Sequence, residues 1–150
     1  AKKADIHLQI KPKGDLYLAL LLSRFIFIEG SEDNTFLDKY TDDAEEFYGL
    51  TQQYQVKKTL KNIDINLGDL GAMLKMITNA KVSIIIGVGV QKYAFGEQVI
   101  RAIDGLGAVL GLYGKKGSGI GFLGDTSVGI KNPFSVKAKK YESKITTPFE

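Results

Sequence analysis

Between Leu67 and Leu110 the spacing of apolar residues changes twice. Leu67, Leu70, Met73, Leu74 and Ile77 keep the three-and-four spacing of one helical face, which predicts a helix over 67–79. Val82-Ser83-Ile84-Ile85-Ile86 is a short, β-branched, nearly continuous apolar run, the pattern of a strand buried on both faces. Val99, Ile100, Ile103, Leu106, Val109 and Leu110 return to helical spacing and predict a helix from Glu97 to about Leu110. Gly87 and Gly89 allow a sharp turn after the strand, and a second glycine-rich turn, Gly114 to Gly119, follows the helix. Strand, glycine turn, helix and glycine turn are the layout of a ligand-facing edge in an α/β protein. Gly105, Gly107 and Gly111 each disfavour a helix by about 1 kcal/mol relative to alanine, so they imply close packing or an early helix end.

Upstream, Asp5 to Ile10 alternates polar and apolar residues and reads as a strand, with His7 facing solvent. A strand so close to the first residue is the pattern expected of a piece of a longer polypeptide. Pro12 and Gly14 mark a turn, after which Asp15 is expected to cap an apolar helix running to about Glu29. That helix is apolar on nearly every face and must be crowded on several sides. It is shorter than the roughly 18 apolar residues of a membrane span. Gly30 ends it, a short helical segment runs from Ser31 through Tyr40, and another helix from Thr41 to about Tyr54. The acidic cluster Asp42, Asp43, Glu45 and Glu46 reads as a solvated helix start rather than a metal site. Residues 55–66 are weakly patterned and read as a surface connection with a short helical or extended turn; residues 112–134 read as irregular.

Composition narrows the chemistry. The chain has 150 residues, one domain's worth, and with 44% hydrophobic residues it can bury a core. A net charge of +3, without a basic stripe interleaved with aromatics, argues against nucleic acid. The absence of cysteine excludes disulfides, iron–sulfur ligation and thiolate zinc sites within the chain, and a single histidine excludes any two-histidine metal motif. Nothing addresses the chain to a secretory or membrane route.

The segment Gly119-Ile120-Gly121-Phe122-Leu123-Gly124 matches G-x-G-x-x-G, but no helical pattern opens from it, so it is rejected as a dinucleotide fingerprint. Gly87-Val88-Gly89 does follow a strand, and is equally a phosphate contact or a plain strand-to-loop turn. There is no phosphate-binding Walker loop, zinc-protease helix or nucleophile elbow, and no nucleophile–base pair. Turnover is expected of a parent protein, not of this chain alone.

Three segments, in order, resemble the large subunit of the molybdopterin oxidoreductase family, which includes formate dehydrogenases, nitrate reductases and the large iron–sulfur subunit of NADH-quinone oxidoreductase. Ala4 to Ile10 with Pro12-Lys13-Gly14-Asp15 resembles the family's strand and Pro-Gly-Thr-Asp turn. Ile86 to Gly96, followed by Gln98, Val99, Arg101, Ala102 and Ile103, resembles its Gly-x-Gly-x-x-x-His-x-x-Gly loop and next helix. Leu110 to Gly119 resembles Thr-Gly-Asn-x-Gly-x-x-Gly-Gly-Gly, and Asn34 to Thr41 fits the segment between the first two.

The resemblance implies an α/β fold: a partial Rossmann-like parallel sheet with flanking helices, glycine-rich loops at the strand ends and an irregular C-terminal region. Residues 1–124 would be the family-like region and 125–150 an irregular basic tail. In cofactor-bearing relatives the first turn contacts the guanine nucleotide end of a molybdopterin cofactor, which implies Lys13, Gly14 and Asp15 there. The glycine loop lies near the pterin and metal, which implies Val88, Gly89 and Lys92. The departures are Pro-Lys-Gly-Asp for Pro-Gly-Thr-Asp, Val88 where Met is common, Tyr93 for His and Leu112 for Asn. Loss of polar groups implies a decayed pocket. The expectation is therefore a structural domain without cofactor in the NADH-quinone oxidoreductase subunit, with molybdopterin guanine dinucleotide possible in the parent. The alternatives are the cofactor-binding part of a formate dehydrogenase-type molybdenum or tungsten enzyme, or an unrelated α/β binding module. The implied partners are the rest of the parent subunit and other subunits of an electron-transfer complex, with no nucleic acid and no direct membrane insertion. The implied location is cytoplasmic, peripheral to the inner membrane through that complex.

Overall fold

A computed structural model of the chain describes residues 3–123. Among them the order is α1 (Asp15–Glu29), α2 (Asn34–Tyr40), α3 (Ala44–Gln52), α4 (Val56–Ile63), α5 (Leu67–Thr78), β1 (Ser83–Ile86), a 3-10 turn (Val88–Lys92), α6 (Gly96–Val109) and β2 (Gly119–Phe122). β1 and β2 pair in parallel, Ser83 opposite Gly119 and Ile86 opposite Phe122, with α6 as the crossover. The expected α/β class with a parallel sheet and flanking helices is the class observed. The expected tail from residue 125 lies outside the described residues.

Helix α1 is the centre of the core. Ala19 through Ser23 are buried without interruption, so every face of the helix is covered there. α6 packs most extensively against it, with α3, α4 and α5 filling the remaining sides. Leu21, Leu22 and Ile26 are fully enclosed, together with Ile63, Leu70 and Val109 from the surrounding helices. Each such side chain contributes about 1.5–3 kcal/mol by leaving water. The buried Ser23 hydroxyl donates to the Ala19 carbonyl one turn back (2.9 Å), so no polar group is stranded in this layer by that residue.

Both long helices end the same way. Gly30 lies at φ +64°, with its N–H donating to Phe27 and that of Ser31 donating to Ile26. Gly111 lies at φ +60°, with its N–H donating to Ala108 and that of Leu112 donating to Gly107. These paired 5→2 and 6→1 bonds satisfy carbonyls at the helix ends and require a left-handed residue that glycine adopts without penalty. The interior glycines of α6 have a packing reason instead: a Cβ at Gly105 would lie 2.5 Å from Phe47 Cζ, and one at Gly107 would run into Ile120.

Several local expectations change. Asp5–Ile10 keeps its alternation, with Ile6, Leu8 and Ile10 half-buried and His7 exposed, but it has no ladder partner among the described residues. Alternation records one half-buried face; a strand also needs a neighbour at its edge. β1 is buried on one face only: Ile86 is 4% exposed and Ile85 is 68% exposed. A strand appears at Gly119–Phe122, inside the stretch read as irregular, because pairing with β1 outweighs the poor strand propensity of its glycines. Residues read as a connection contain α4, whose Leu60 and Ile63 enter the core while Lys57, Lys58 and Lys61 stay in water. The helix expected over 41–54 is the shorter α3, with its acidic residues exposed as expected.

Replacing Gly105 by Ala is expected to lower stability by about 1 kcal/mol despite alanine's better helix propensity, because the methyl group displaces the Phe47 ring. In a Phe47→Ala background the same change is expected to be neutral or stabilising. Denaturant unfolding of the four-member cycle measures this, and a coupling below about 0.5 kcal/mol would contradict the packing reason.

Candidate functional site

The carboxyl end of β1, where ligands bind in open α/β sheets, faces the start of α1. Lys11-Pro12-Lys13-Gly14 closes as a turn, with the Gly14 N–H donating to the Lys11 carbonyl (2.9 Å). Lys13 occupies the third position with φ +68°, where glycine is favoured. Gly14 is buried, and a Cβ there would sit 2.8 Å from the Lys11 oxygen and 3.3 Å from Ile63. Gly14 is also the residue flanking the helix start, so Asp15 is the first residue inside α1 and not its cap; Gly14 has no side chain to supply the capping bond. The Asp15 carboxylate still lies in the first turn, where the helix dipole favours an anion.

Across from this turn, Gly87 leaves β1 with φ −75° and ψ 146°, and the chain enters the 3-10 turn. Neither Gly87 nor Gly89 has a positive φ, so the sharp turn expected of them is not the reason for glycine here. A Cβ at either would meet nothing within 4 Å. Val88, Gly89 and Lys92 are exposed. Phe95, which sequence reasoning did not single out, begins α6 at φ +65° with 68% of its surface exposed. A bulky residue held in the left-handed region is a strained one. A phenylalanine there looks like any other residue of a loop until its backbone angle is known.

A cleft of about 410 Å³ runs along β1 beneath this edge. Asp15 and Gly87 line one end, and Leu22, Met76, Ile84 and Leu106 are among the aliphatic and methionine side chains that make most of its wall. The structure thus brings Asp15 to the same cleft as the glycine loop. Lys13, Gly14, Val88, Gly89 and Lys92 do not line it. Among the described residues, Asp15 is the only ionisable one that does. A pterin dinucleotide carries phosphates and a hydrogen-bonding heterocycle, and the described residues of this wall, with one acid and no cation among them, do not fit it. Among the described residues no three His, Asp or Glu side chains gather where they could hold a metal ion.

A second concavity, about 710 Å³, lies at the far end of α1 and α6 between Phe36, Tyr40, Tyr113 and Lys115. Asp33 organises it. Its N–H donates to the Val109 carbonyl (2.9 Å), one carboxylate oxygen accepts the Phe36 N–H as the cap of α2 (3.0 Å), and the other pairs with Lys115. The Lys115 ammonium and the Phe36 N–H hold the Asp33 carboxyl below the usual carboxylate range. The Tyr113 hydroxyl donates to Asp104, and burial together with that carboxylate pushes its pKa up to about 12, so the phenol stays neutral. Asp33 and Lys115 are 82 residues apart, and no sequence spacing announces the pair.

With this geometry in hand, the relatives of the chain are informative. No family model matches it. Over 129 residues it is 28% identical to the probable oxidoreductase YyaE of Bacillus subtilis, covering 86% of this chain and 19% of that protein. Over 121 residues it is 28% identical to the F420-dependent formate dehydrogenase 2 subunit alpha of Methanococcus maripaludis, covering 80% of this chain and 18% of that subunit. Over 129 residues it is 26% identical to the trimethylamine-N-oxide reductase of Pasteurella multocida, covering 81% of this chain and 16% of that enzyme. The chain therefore spans less than a fifth of the length of these relatives. Its homologues are oxidoreductases, formate dehydrogenase among them, which supports the resemblance to the molybdopterin oxidoreductases at that level.

Two substitutions separate the roles of the turn. Lys13→Gly is expected to stabilise the chain by about 0.5–1 kcal/mol, by relieving the positive φ, whereas Gly14→Ala is expected to cost about 1–3 kcal/mol through the contacts with Lys11 and Ile63. Thermal unfolding checks both signs. For Asp33, whose folded pKa lies below the 3.8 of a free aspartate, the stabilisation is present above that value and is lost as pH falls through the folded pKa. Wild type is expected to exceed Asp33→Asn in stability at pH 7 by under about 1 kcal/mol, the pair being partly exposed, and the difference is expected to vanish on titration below the carboxylate range. Denaturation midpoints at a series of pH values measure it.

Proposed function

We propose that this chain is a structural α/β segment of a large oxidoreductase subunit of the molybdopterin type, one that packs beside a cofactor-bearing region without itself holding the pterin. The carrying observation is the cleft under the carboxyl end of β1, whose wall, among the described residues, is apolar except for Asp15 and Ser83. The sequence departures agree with it: lysine stands at the turn position suited to glycine, and Tyr93 and Leu112 replace polar family residues. On this reading the regions that carry iron–sulfur or metal ligands belong to other parts of the parent subunit, and its partners are those parts and further subunits of an electron-transfer assembly. Residues 1–124 form the family-like unit and 125–150 an appended basic tail. Among parents, the NADH-quinone oxidoreductase subunit suits a degenerate pocket, while the named relatives favour a formate dehydrogenase-like one.

A second reading is favoured by the same relatives: a cofactor-holding wall in which Lys13, Gly14, Asp15, Val88, Gly89 and Lys92 face a guanine dinucleotide or its pterin. The open space above Gly87 and Gly89 is the feature that favours it.

Titrating the chain with guanosine diphosphate, followed by amide resonances, decides between the readings. No saturable shift up to millimolar nucleotide is expected. Saturable shifts at Asp15, Gly87 and Gly89, weakened or removed by Lys13→Ala and Lys92→Ala, would overturn the structural reading in favour of the second.

A further inference from the structure

On the wall of the 710 Å³ concavity at the far end of α1 and α6, three aromatic rings stand in a row. Phe36 is the middle one, its centroid 5.2 Å from that of Tyr40 and 6.0 Å from that of Tyr113, the latter pair stacked at 22°. Tyr40 is 64% exposed and Tyr113 37% exposed, so both outer rings are open to solvent. The row is held in place by its own fold. The Tyr113 hydroxyl donates to Asp104 (3.2 Å), and the Phe36 N–H donates to the Asp33 carboxylate (3.0 Å). Rings fixed in this way lose little freedom when something is laid against them.

An ammonium group accompanies each outer ring. Lys39 lies over the Tyr40 ring, 5.0 Å from its centroid, and belongs to no ion pair among the described residues. Lys115 follows Tyr113 by two residues, lines the same concavity and pairs with Asp33. Two ammonium groups against one carboxylate leave the described wall a single positive charge. This lining differs in kind from the apolar cleft along β1. Apolar polypeptide laid over it would take the Lys39 ammonium out of water without a partner, at a heavy desolvation cost. Whatever covers the rings must therefore bring an anion with it.

We infer that this concavity binds a flat aromatic monocarboxylate, its ring laid against the row of Tyr40, Phe36 and Tyr113 and its carboxylate on Lys39. Aromatic faces attract other π-systems in offset or tilted stacks. An ammonium–carboxylate contact is a charge-assisted hydrogen bond, stronger than a neutral one. The volume lies within the roughly 300–1,000 Å³ of small-molecule sites. One charge is what the wall matches: a second would face the Asp33 carboxylate, with Lys115 already engaged. The site lies at the other end of α1 from Asp15 and Gly87, and the inference does not rest on the functional reading above. Its failure and that of the guanine titration are separate results.

The test titrates the 150-residue chain with cinnamate, followed by amide resonances. Saturable shifts are expected at Phe36, Lys39, Tyr40 and Gly114, and not at Ile84 or Ile86 in the β1 cleft. Lys39 and Tyr40 are exposed and lie outside the core. Tyr40→Ala and Lys39→Ala are each expected to raise Kd by at least about fivefold, and Lys39→Arg to stay within about twofold of wild type. Cinnamyl alcohol, which lacks the charge, and cyclohexanecarboxylate, which lacks the ring, are each expected to bind at least about fivefold more weakly than cinnamate. No saturable shift up to about 10 mM cinnamate would overturn the proposal, as would shifts confined to the β1 cleft. Equal binding of the alcohol would remove charge from the recognition, and equal binding of the cyclohexane acid would remove the rings; either result overturns the proposed chemistry. Guanosine diphosphate binding here more tightly than cinnamate would overturn the match to a single charge.

Discussion

Helix α1 has no exposed face between Ala19 and Ser23, and that constraint governs the arrangement of the molecule. A helix apolar on all sides is stable in water only when enclosed on all sides. α6 covers one side closely, and α3, α4 and α5 cover the rest. The close approach explains why α6 carries glycine at two positions where glycine weakens a helix. At Gly105 the Phe47 ring occupies the space of a methyl group, and at Gly107 the Ile120 side chain does. Helix propensity is given up locally so that helices and sheet can meet at short range.

The same enclosure places the two ends of the molecule. At one end, α1 begins beside the point where β1 stops, so Asp15 and Gly87 border one cleft. At the other end, α1 and α6 both finish on a left-handed glycine, and Asp33 ties the segment after Gly30 to the carbonyl of Val109 and to Lys115. The first end offers an apolar wall; the second offers an ion pair, aromatic rings and lysines. Only the first lies at the strand-end edge where α/β proteins place their ligands. Its lining suits packing against polypeptide better than holding a charged dinucleotide.

The likeness to oxidoreductases is spread along most of the chain, while the residues that depart from the family lie at the turns. Those departures have local physical consequences. Lys13 sits at φ +68°, and Gly14 is held between Lys11 and Ile63, so the glycine of this turn serves the turn's own packing. A residue can thus match a motif and be required for a reason internal to the chain, and a sequence comparison cannot separate the two.

The periodicities of the chain were enough to determine α1, α5, β1 and α6 to within a residue or two, because each carries a long or unbroken apolar pattern that only one backbone period can bury. They also determined that Gly30 ends α1 and that the acidic start of α3 lies in water. They did not reveal β2, whose glycines hide a strand until β1 supplies its partner, and they left α4 as a short helical or extended turn, because its apolar face is short until Leu60 and Ile63 reach the core. They placed a strand at Asp5–Ile10 and two covered faces on β1, because alternation and hydrophobicity record the wish to be buried and not the presence of a neighbour. Pairing, edge exposure and the meeting of Asp33 with Lys115 are contacts between residues far apart in the chain. Such contacts are decided by how helices stack around α1, and only the tertiary structure contains that information.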